Sequence, residues 1–119
     1  MHLKLSMRVL NDGIVIIDCT GRLVLGEESA ALRERAHPLL SNKGRIILNF
    51  ANVTRIDSGG LGTLVALYAT ANNLGASIKL ACLSERLTDL LQMTKLLTVF
   101  EVYDTERRAI QSFGTSAVA

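Results

Sequence analysis

From residue 14 onward, short apolar runs alternate with helical patterns along the chain. The apolar runs over residues 14–19, 45–50, 78–83 and 99–103 are typical of strands, and helical spacing occupies the segments between them. Strands that are joined by helices pair in parallel through right-handed crossovers. We therefore expect an α/β fold with a mixed, mostly parallel sheet of about five strands and about four helices.

The N-terminal segment predicts one further strand, which precedes the alternation. Leu3, Leu5, Met7 and Val9 alternate with polar residues, as in a half-buried strand. The Asp12-Gly13 pair that follows favours a tight turn, because such turns need a positive φ. An opening antiparallel hairpin is expected. Its first strand would leave one edge exposed, so we expect a monomer or a weak dimer.

Capping residues set the expected limits of the helices. The first helix is expected from Glu27 to about His37, with a bend or break at Pro38, because proline lacks a backbone donor. The second helix carries an apolar stripe and should end at Gly75. The predicted stripe consists of Leu61, Leu64, Val65, Tyr68, Ala71 and Leu74. Ser84 and Asp104 are the expected N-caps of the last two helices.

Composition favours one compact domain over residues 1–114, followed by a frayed tail over residues 115–119. The chain has 119 residues, of which 49% are hydrophobic, so it can bury a core without disulfides or metals. Its net charge is +2, and its basic residues are dispersed, so a nucleic-acid partner is not expected. The chain has no long apolar stretch, so we do not expect it to insert into a membrane. Cys19 and Cys82 lie in apolar runs, which favours reduced thiols and a cytoplasmic location.

The segment Asp57-Ser58-Gly59-Gly60-Leu61-Gly62 is the strongest candidate for a functional site. It follows the third strand, where the loops of an open α/β sheet receive ligands and partners. Three glycines within four residues are unfavourable in a helix, so they indicate close approach of another backbone or a phosphate. Ser58 can cap the second helix, and a phosphate on it would meet the positive end of the helix dipole. An acid directly before a helix is also commonly a cap, so Asp57 is expected to shape this loop and not to act as a general base.

Other chemistries have less support in the sequence. The glycines could bind a nucleotide directly, but the Walker lysine is absent and no Gly-x-Gly-x-x-Gly follows the first strand. Asp57 could accept a phosphate as in receiver domains, but the end of the first parallel strand, Cys19-Thr20-Gly21, has no acid that could hold a metal ion. No hydrolytic triad and no metal-ligand spacing is visible, so we expect a non-enzymatic protein without a cofactor or a metal.

The same segment resembles the Asp-Ser-Ser/Thr-Gly-Leu-Gly signature of STAS domains, the family of the bacterial anti-sigma factor antagonists. Further similarities cover nearly the whole chain. They are Gly21-Arg22-Leu23 after the second strand, Arg45-Ile46-Ile47-Leu48-Asn49-Phe50 with Val53, and Leu90-Leu91 through Leu96-Leu97 with Phe100. The resemblance therefore implies a STAS-like fold and a role in partner switching.

The resemblance also implies roles for individual residues. Ser58 corresponds to the family's phospho-acceptor, and the kinase is an anti-sigma factor that binds ATP itself. The unphosphorylated antagonist binds this kinase and frees the sigma factor for transcription, whereas the phosphorylated antagonist releases the kinase; a phosphatase could reverse the modification. The expected partner-binding residues are Asp57, Ser58, Gly59, Gly60, Arg22, Leu23 and Thr54.

The chain departs from the family pattern at three positions. Gly59 replaces the usual second hydroxyl, Val24 stands where many antagonists have an acid, and Thr94-Lys95 lacks a common glycine. The Val24 departure leaves the identity of the partner open. The alternative function is that of a constitutive STAS scaffold in a membrane transporter complex.

Overall fold

The computed structural model describes residues 3–114 and shows a five-stranded sheet with four helices. The strands are β1 (Lys4–Val9), β2 (Val15–Leu23), β3 (Arg45–Ile56), β4 (Ser77–Ala81) and β5 (Val102–Tyr103). The helices are α1 (Glu27–Ser41), α2 (Ser58–Leu74), α3 (Glu85–Met93) and α4 (Glu106–Gln111). The expected tail over residues 115–119 lies outside the described residues.

The strands lie in the order β1-β2-β3-β4-β5, so β1 is an edge strand. β1 and β2 pair antiparallel with Met7 opposite Ile17, and the other neighbouring strands pair in parallel. The predicted hairpin and the mostly parallel sheet are both confirmed. Pairing between two copies along β1 stays a prediction.

Helices cover both faces of the sheet, but unequally. Leu32 of α1, Leu64 of α2 and Leu91 of α3 belong to the main core on one face. On the other face, Ala109 of α4 packs in a smaller cluster that includes Ile47 of β3. Burial of aliphatic side chains on both faces thus stabilises the central strands.

Two of the sequence-based strand limits were too short. β2 continues from Cys19 to Leu23, and β3 continues from Phe50 to Ile56, with Val53 and Ile56 buried. The register shifts twice where these extensions pair, and such irregularities break the period of two that predicts a strand. β4 pairs with β3 only along Arg45–Asn49, so the extended ends project beyond it and carry the candidate site.

Of the bend or break predicted at Pro38, the break is wrong, because α1 runs through this residue to Ser41. Proline removes one backbone donor, but the carbonyl four residues earlier belongs to Glu34, an exposed residue that water can reach. Leu40 is fully buried and anchors the last turn to the core. Burial of this leucine therefore outweighs the missing hydrogen bond.

The helix limits are otherwise close to those expected. Gly75 adopts a left-handed conformation after α2, and the hydroxyl of Ser84 accepts the Leu87 N–H, as predicted. The predicted cap Asp104 is wrong: Thr105 caps α4 by accepting the Arg108 N–H. Within the predicted stripe of α2, Val65 and Leu74 are exposed, whereas Leu67, which was not predicted, is buried together with Leu61 and Leu64. None of the described helices is both long enough and apolar enough to span a bilayer.

Candidate functional site

The candidate site lies where the projecting ends of β2 and β3 meet the first turn of α2. Ser58 is the first residue of α2, and it is exposed. The neighbouring positions Gly60 and Leu61 are buried. The fold therefore leaves the Ser58 residue open to another molecule while its helix stays anchored in the core.

Asp57, not Ser58, is the N-cap of α2, which decides between the two caps that the sequence allowed. The Asp57 Oδ1 atom accepts the Gly60 N–H at 2.9 Å. Its backbone carbonyl also accepts the Leu61 N–H at 2.9 Å. Because Asp57 already satisfies these donors, the Ser58 hydroxyl is not needed for capping.

The Asp57 carboxylate also binds the loop between β2 and α1. Both of its oxygens accept the backbone N–H of Leu25, at 3.1 and 3.2 Å. The N–H groups of Gly60, Leu25 and Gly59 lower the pKa of Asp57, and the positive charge of Arg55 acts in the same direction. An ionised Asp57 thus joins two segments that are far apart in the sequence.

The glycines of the segment have different surroundings. A Cβ at Gly60 would overlap the backbone carbonyl of Leu23, and a Cβ at Gly59 would lie 2.5 Å from the Cβ of Leu25. Nothing lies within 4 Å of a Cβ at Gly62. Close backbone approach was expected from the sequence, and the structure confirms it at Gly59 and Gly60.

The loop of Val24 and Leu25 is held from two sides. Ser29 is buried, and its hydroxyl donates to the Val24 carbonyl at 2.7 Å, while Asp57 holds the next N–H. The Leu25 side chain is nevertheless 74% exposed. Leu25 was not among the residues predicted from the sequence; the available signal was an apolar residue directly before Gly26, in a loop at the carboxyl end of a strand.

The other predicted site residues lie on the extended strands. Thr54 is an exposed residue of β3, and its hydroxyl donates to the Gly21 carbonyl at 3.2 Å. Arg22 is half-buried on β2, opposite Arg55. The Leu23 side chain is only 1% exposed and lies in the core. Leu23 therefore supports the site through its backbone, whose carbonyl also accepts the Asp57 N–H at 3.4 Å.

Two grooves flank the start of α2. A groove of about 360 Å³ lies between α1 and α2, and one of about 590 Å³ lies between the end of β3 and α3. Among the side chains that the structure describes, no group of three or more His, Cys, Asp or Glu is arranged to hold a metal ion. The arrangement can present the Ser58 hydroxyl to another molecule.

Comparison with known proteins places these features in a family. The family model of the STAS domain matches residues 7–109. The anti-sigma-B factor antagonist of Bacillus subtilis (strain 168) is 31% identical over 80 residues, which are 67% of this chain and 73% of that protein.

Two solved structures have the same fold. SpoIIAA, a Bacillus cell fate determinant solved in its phosphorylated form, superposes with a TM-score of 0.70 at 19% identity, covering 92% of this chain and 99% of SpoIIAA. A sulfate transporter family protein of Wolinella succinogenes gives a TM-score of 0.71 at 20% identity, covering 93% and 92% of the two chains. The match to the family model spans most of the sequence, and the chain belongs to the STAS domain family.

Proposed function

We propose that this STAS domain is an anti-sigma factor antagonist that is controlled by phosphorylation of Ser58. The observation that carries the proposal is the exposure of Ser58 at the first residue of α2, beside a carboxylate that already caps the helix. A kinase could reach the hydroxyl without unfolding the first turn, because Asp57 and not Ser58 holds that turn together.

The comparisons support the regulatory part of this proposal. The Bacillus subtilis relative is named an anti-sigma-B factor antagonist, and SpoIIAA, which shares the fold, was solved in a phosphorylated form. We assign the corresponding role to this chain, together with a cytoplasmic location and no catalytic activity of its own. Its partner would be an anti-sigma factor serine kinase that binds ATP itself, and a phosphatase could restore the hydroxyl.

The chemical step needs only one group from this protein. The Ser58 Oγ attacks the γ-phosphorus of ATP, the bond to the bridging oxygen of ADP breaks, and a base on the kinase takes the hydroxyl proton. The product carries about 1.5 to 2 negative charges at pH 7. Since Asp57 occupies the Gly60 N–H, the new phosphate remains on the outer surface, next to a second negative group.

Release of the partner follows from that charge. In the unphosphorylated state, Ser58, Gly59 and Thr54 would contact the kinase, with Arg22 at the margin and the backbone of Leu23, Asp57 and Gly60 as support. A phosphate in the same interface would lose hydration and repel nearby acids. The coupling free energy between two such linked events, here phosphorylation of Ser58 and binding of the kinase, is typically roughly 1–3 kcal/mol. This corresponds to about 5–150-fold weaker binding of the phosphorylated form.

Binding of the purified chain to candidate anti-sigma factor kinases tests this function. The unphosphorylated chain should bind one such kinase, and the form phosphorylated at Ser58 should bind it about 5–150-fold more weakly. Ser58→Ala should bind persistently even when ATP is present. Equal affinity of the phosphorylated and unphosphorylated forms would contradict the switch.

The fold shared with the Wolinella succinogenes transporter family protein favours one other role, that of a constitutive scaffold in a transporter complex. The same surface would then bind another protein without phosphate transfer. Co-purification from native extract separates the two functions. Recovery of transporter subunits together with an unmodified intact mass supports the scaffold, and recovery of a kinase that adds one phosphate supports the switch.

A further inference from the structure

Leu25 is an exposed apolar side chain that packs on the residue directly after Ser58. A Cβ at Gly59 would lie within 2.8 Å of the Leu25 Cα, Cβ and Cδ1 atoms, so the two residues are in direct contact. The Leu25 side chain is still 74% exposed, because only one side of it touches the protein. The glycine that replaces the family's second hydroxyl therefore provides the space in which Leu25 lies.

The backbone that carries Leu25 is fixed on both sides. Asp57 accepts the Leu25 N–H with both carboxylate oxygens, and the buried Ser29 donates to the carbonyl of Val24. A side chain presented from a fixed backbone loses less conformational entropy when a partner covers it. An exposed leucine held in this way is preorganised for burial by a partner.

Leu25 lines the groove between α1 and α2. This groove has a volume of about 360 Å³, and Gly59, Gly62 and Ala66 of α2 line one side of it. Small residues on that side allow a partner segment to approach the helix closely. Arg33 is the charged residue among the described side chains that line the groove. The groove is thus suited to a partner segment that carries an acid next to an apolar pocket for Leu25.

We infer that Leu25 determines which kinase recognises this protein, by inserting into an apolar pocket beside the active site that reaches Ser58. The inference rests on the proposed function and names the chemistry of its partner: an apolar pocket for Leu25, followed by an acidic residue near Arg33. The position of Leu25 against Gly59 makes this contact continuous with the proposed acceptor surface. A phosphate on Ser58 would bring charge to the edge of this apolar contact, which fits with release of the partner.

Phosphorylation kinetics with the kinase that modifies the wild-type chain test this inference. Leu25→Ala should raise KM for the chain about tenfold or more and leave kcat unchanged, because burial of Leu25 by the partner contributes to docking and not to phosphate transfer. Leu25→Met should stay within about threefold of wild type, since methionine can fill the same pocket. Val9→Ala is the matched control, because Val9 is also highly exposed (71%) but lies on β1, away from the site.

The outcomes separate the two proposals. Wild-type kinetics for Leu25→Ala, or a loss confined to kcat, would overturn the role of Leu25 while the switch stands, provided that Ser58→Ala accepts no phosphate. Absence of phosphate transfer to the wild-type chain from every anti-sigma factor kinase tested would overturn both. Because Leu25 is exposed, all variants should keep the wild-type midpoint of thermal unfolding, which verifies that the kinetic change is not a folding defect.

Discussion

The Cα atom of Gly60 lies against the backbone carbonyl oxygen of Leu23, so closely that a side chain at this position would overlap it. This contact joins the first turn of α2 to the end of β2. It sets the position of the turn that carries Ser58, because both groups belong to the backbone and neither can rotate away.

Gly60→Ala and Gly62→Ala should change stability in opposite directions. The Gly60→Ala methyl group overlaps a carbonyl, so we expect a loss of about 1–3 kcal/mol in the free energy of unfolding. The Gly62→Ala methyl group meets nothing within 4 Å in a helix, so a gain of up to about 1 kcal/mol is expected. Urea denaturation midpoints measure both changes, and equal midpoints for the two variants would refute the packing argument.

The sequence was sufficient to predict the order of the strands and helices, because each strand core is a distinct apolar run and most helices have recognisable ends. It was not sufficient where tertiary burial overrides local preference. Burial of Leu40 stabilises the part of α1 that follows Pro38. Burial of Val53 and Ile56 stabilises the part of β3 that lies beyond the apolar run ending at Phe50. These outcomes depend on contacts between distant segments, which local spacing does not encode.

The candidate site was predictable in part. The Asp57-Ser58 pair and the glycines located the segment, but the sequence could not decide which of two adjacent oxygen-bearing side chains caps α2. That choice depends on Leu25, whose N–H gives the Asp57 carboxylate a second donor across the fold. The sequence also did not predict the exposure of Leu25, because this exposure results from how the loop packs on Gly59.

The stability contributed by Asp57 should depend on pH. Its pKa lies below the usual value because backbone N–H groups stabilise the carboxylate, so the ionised form favours the folded state. This contribution is fully present above the unfolded-state pKa of about 3.9 and is lost as the pH falls through the lower folded-state pKa. The difference in unfolding free energy between wild type and Asp57→Asn should therefore shrink below about pH 4. A constant difference from pH 7 to pH 3 would contradict the assigned role.

The two thiols should differ in reactivity in the folded protein. Cys19 is 2% exposed, and burial raises the pKa of its thiol to about 12, so few thiolates form and reagents cannot reach them. Cys82 is half-buried, and burial also raises the pKa of its thiol. Iodoacetamide should modify Cys82 slowly and Cys19 only after unfolding, as read by peptide mass. Equal labelling of both thiols in the native state would show that the core around Cys19 opens.

The ion pairs that join α4 to the sheet should contribute modestly. Arg8 donates to Asp18 at 2.6 and 2.8 Å and to Glu106 at 2.6 and 3.2 Å, which joins β1, β2 and α4. These side chains are 27–45% exposed, so solvent screens them. Glu106→Gln should lower the unfolding free energy by roughly 1 kcal/mol or less, and the difference should diminish in high salt. A larger loss that is independent of salt would assign α4 a different mode of attachment.

The direct measurement of the central claim is phosphate stoichiometry by intact mass, with the site mapped on peptides, after incubation with ATP and an anti-sigma factor kinase. Wild type and the matched control Ser6→Ala, which alters another exposed serine, should each gain one phosphate on Ser58. Ser58→Ala should gain none under the same conditions. One phosphate on Ser58→Ala, or mapping of the wild-type phosphate to another residue, would contradict the assignment of Ser58 as the acceptor.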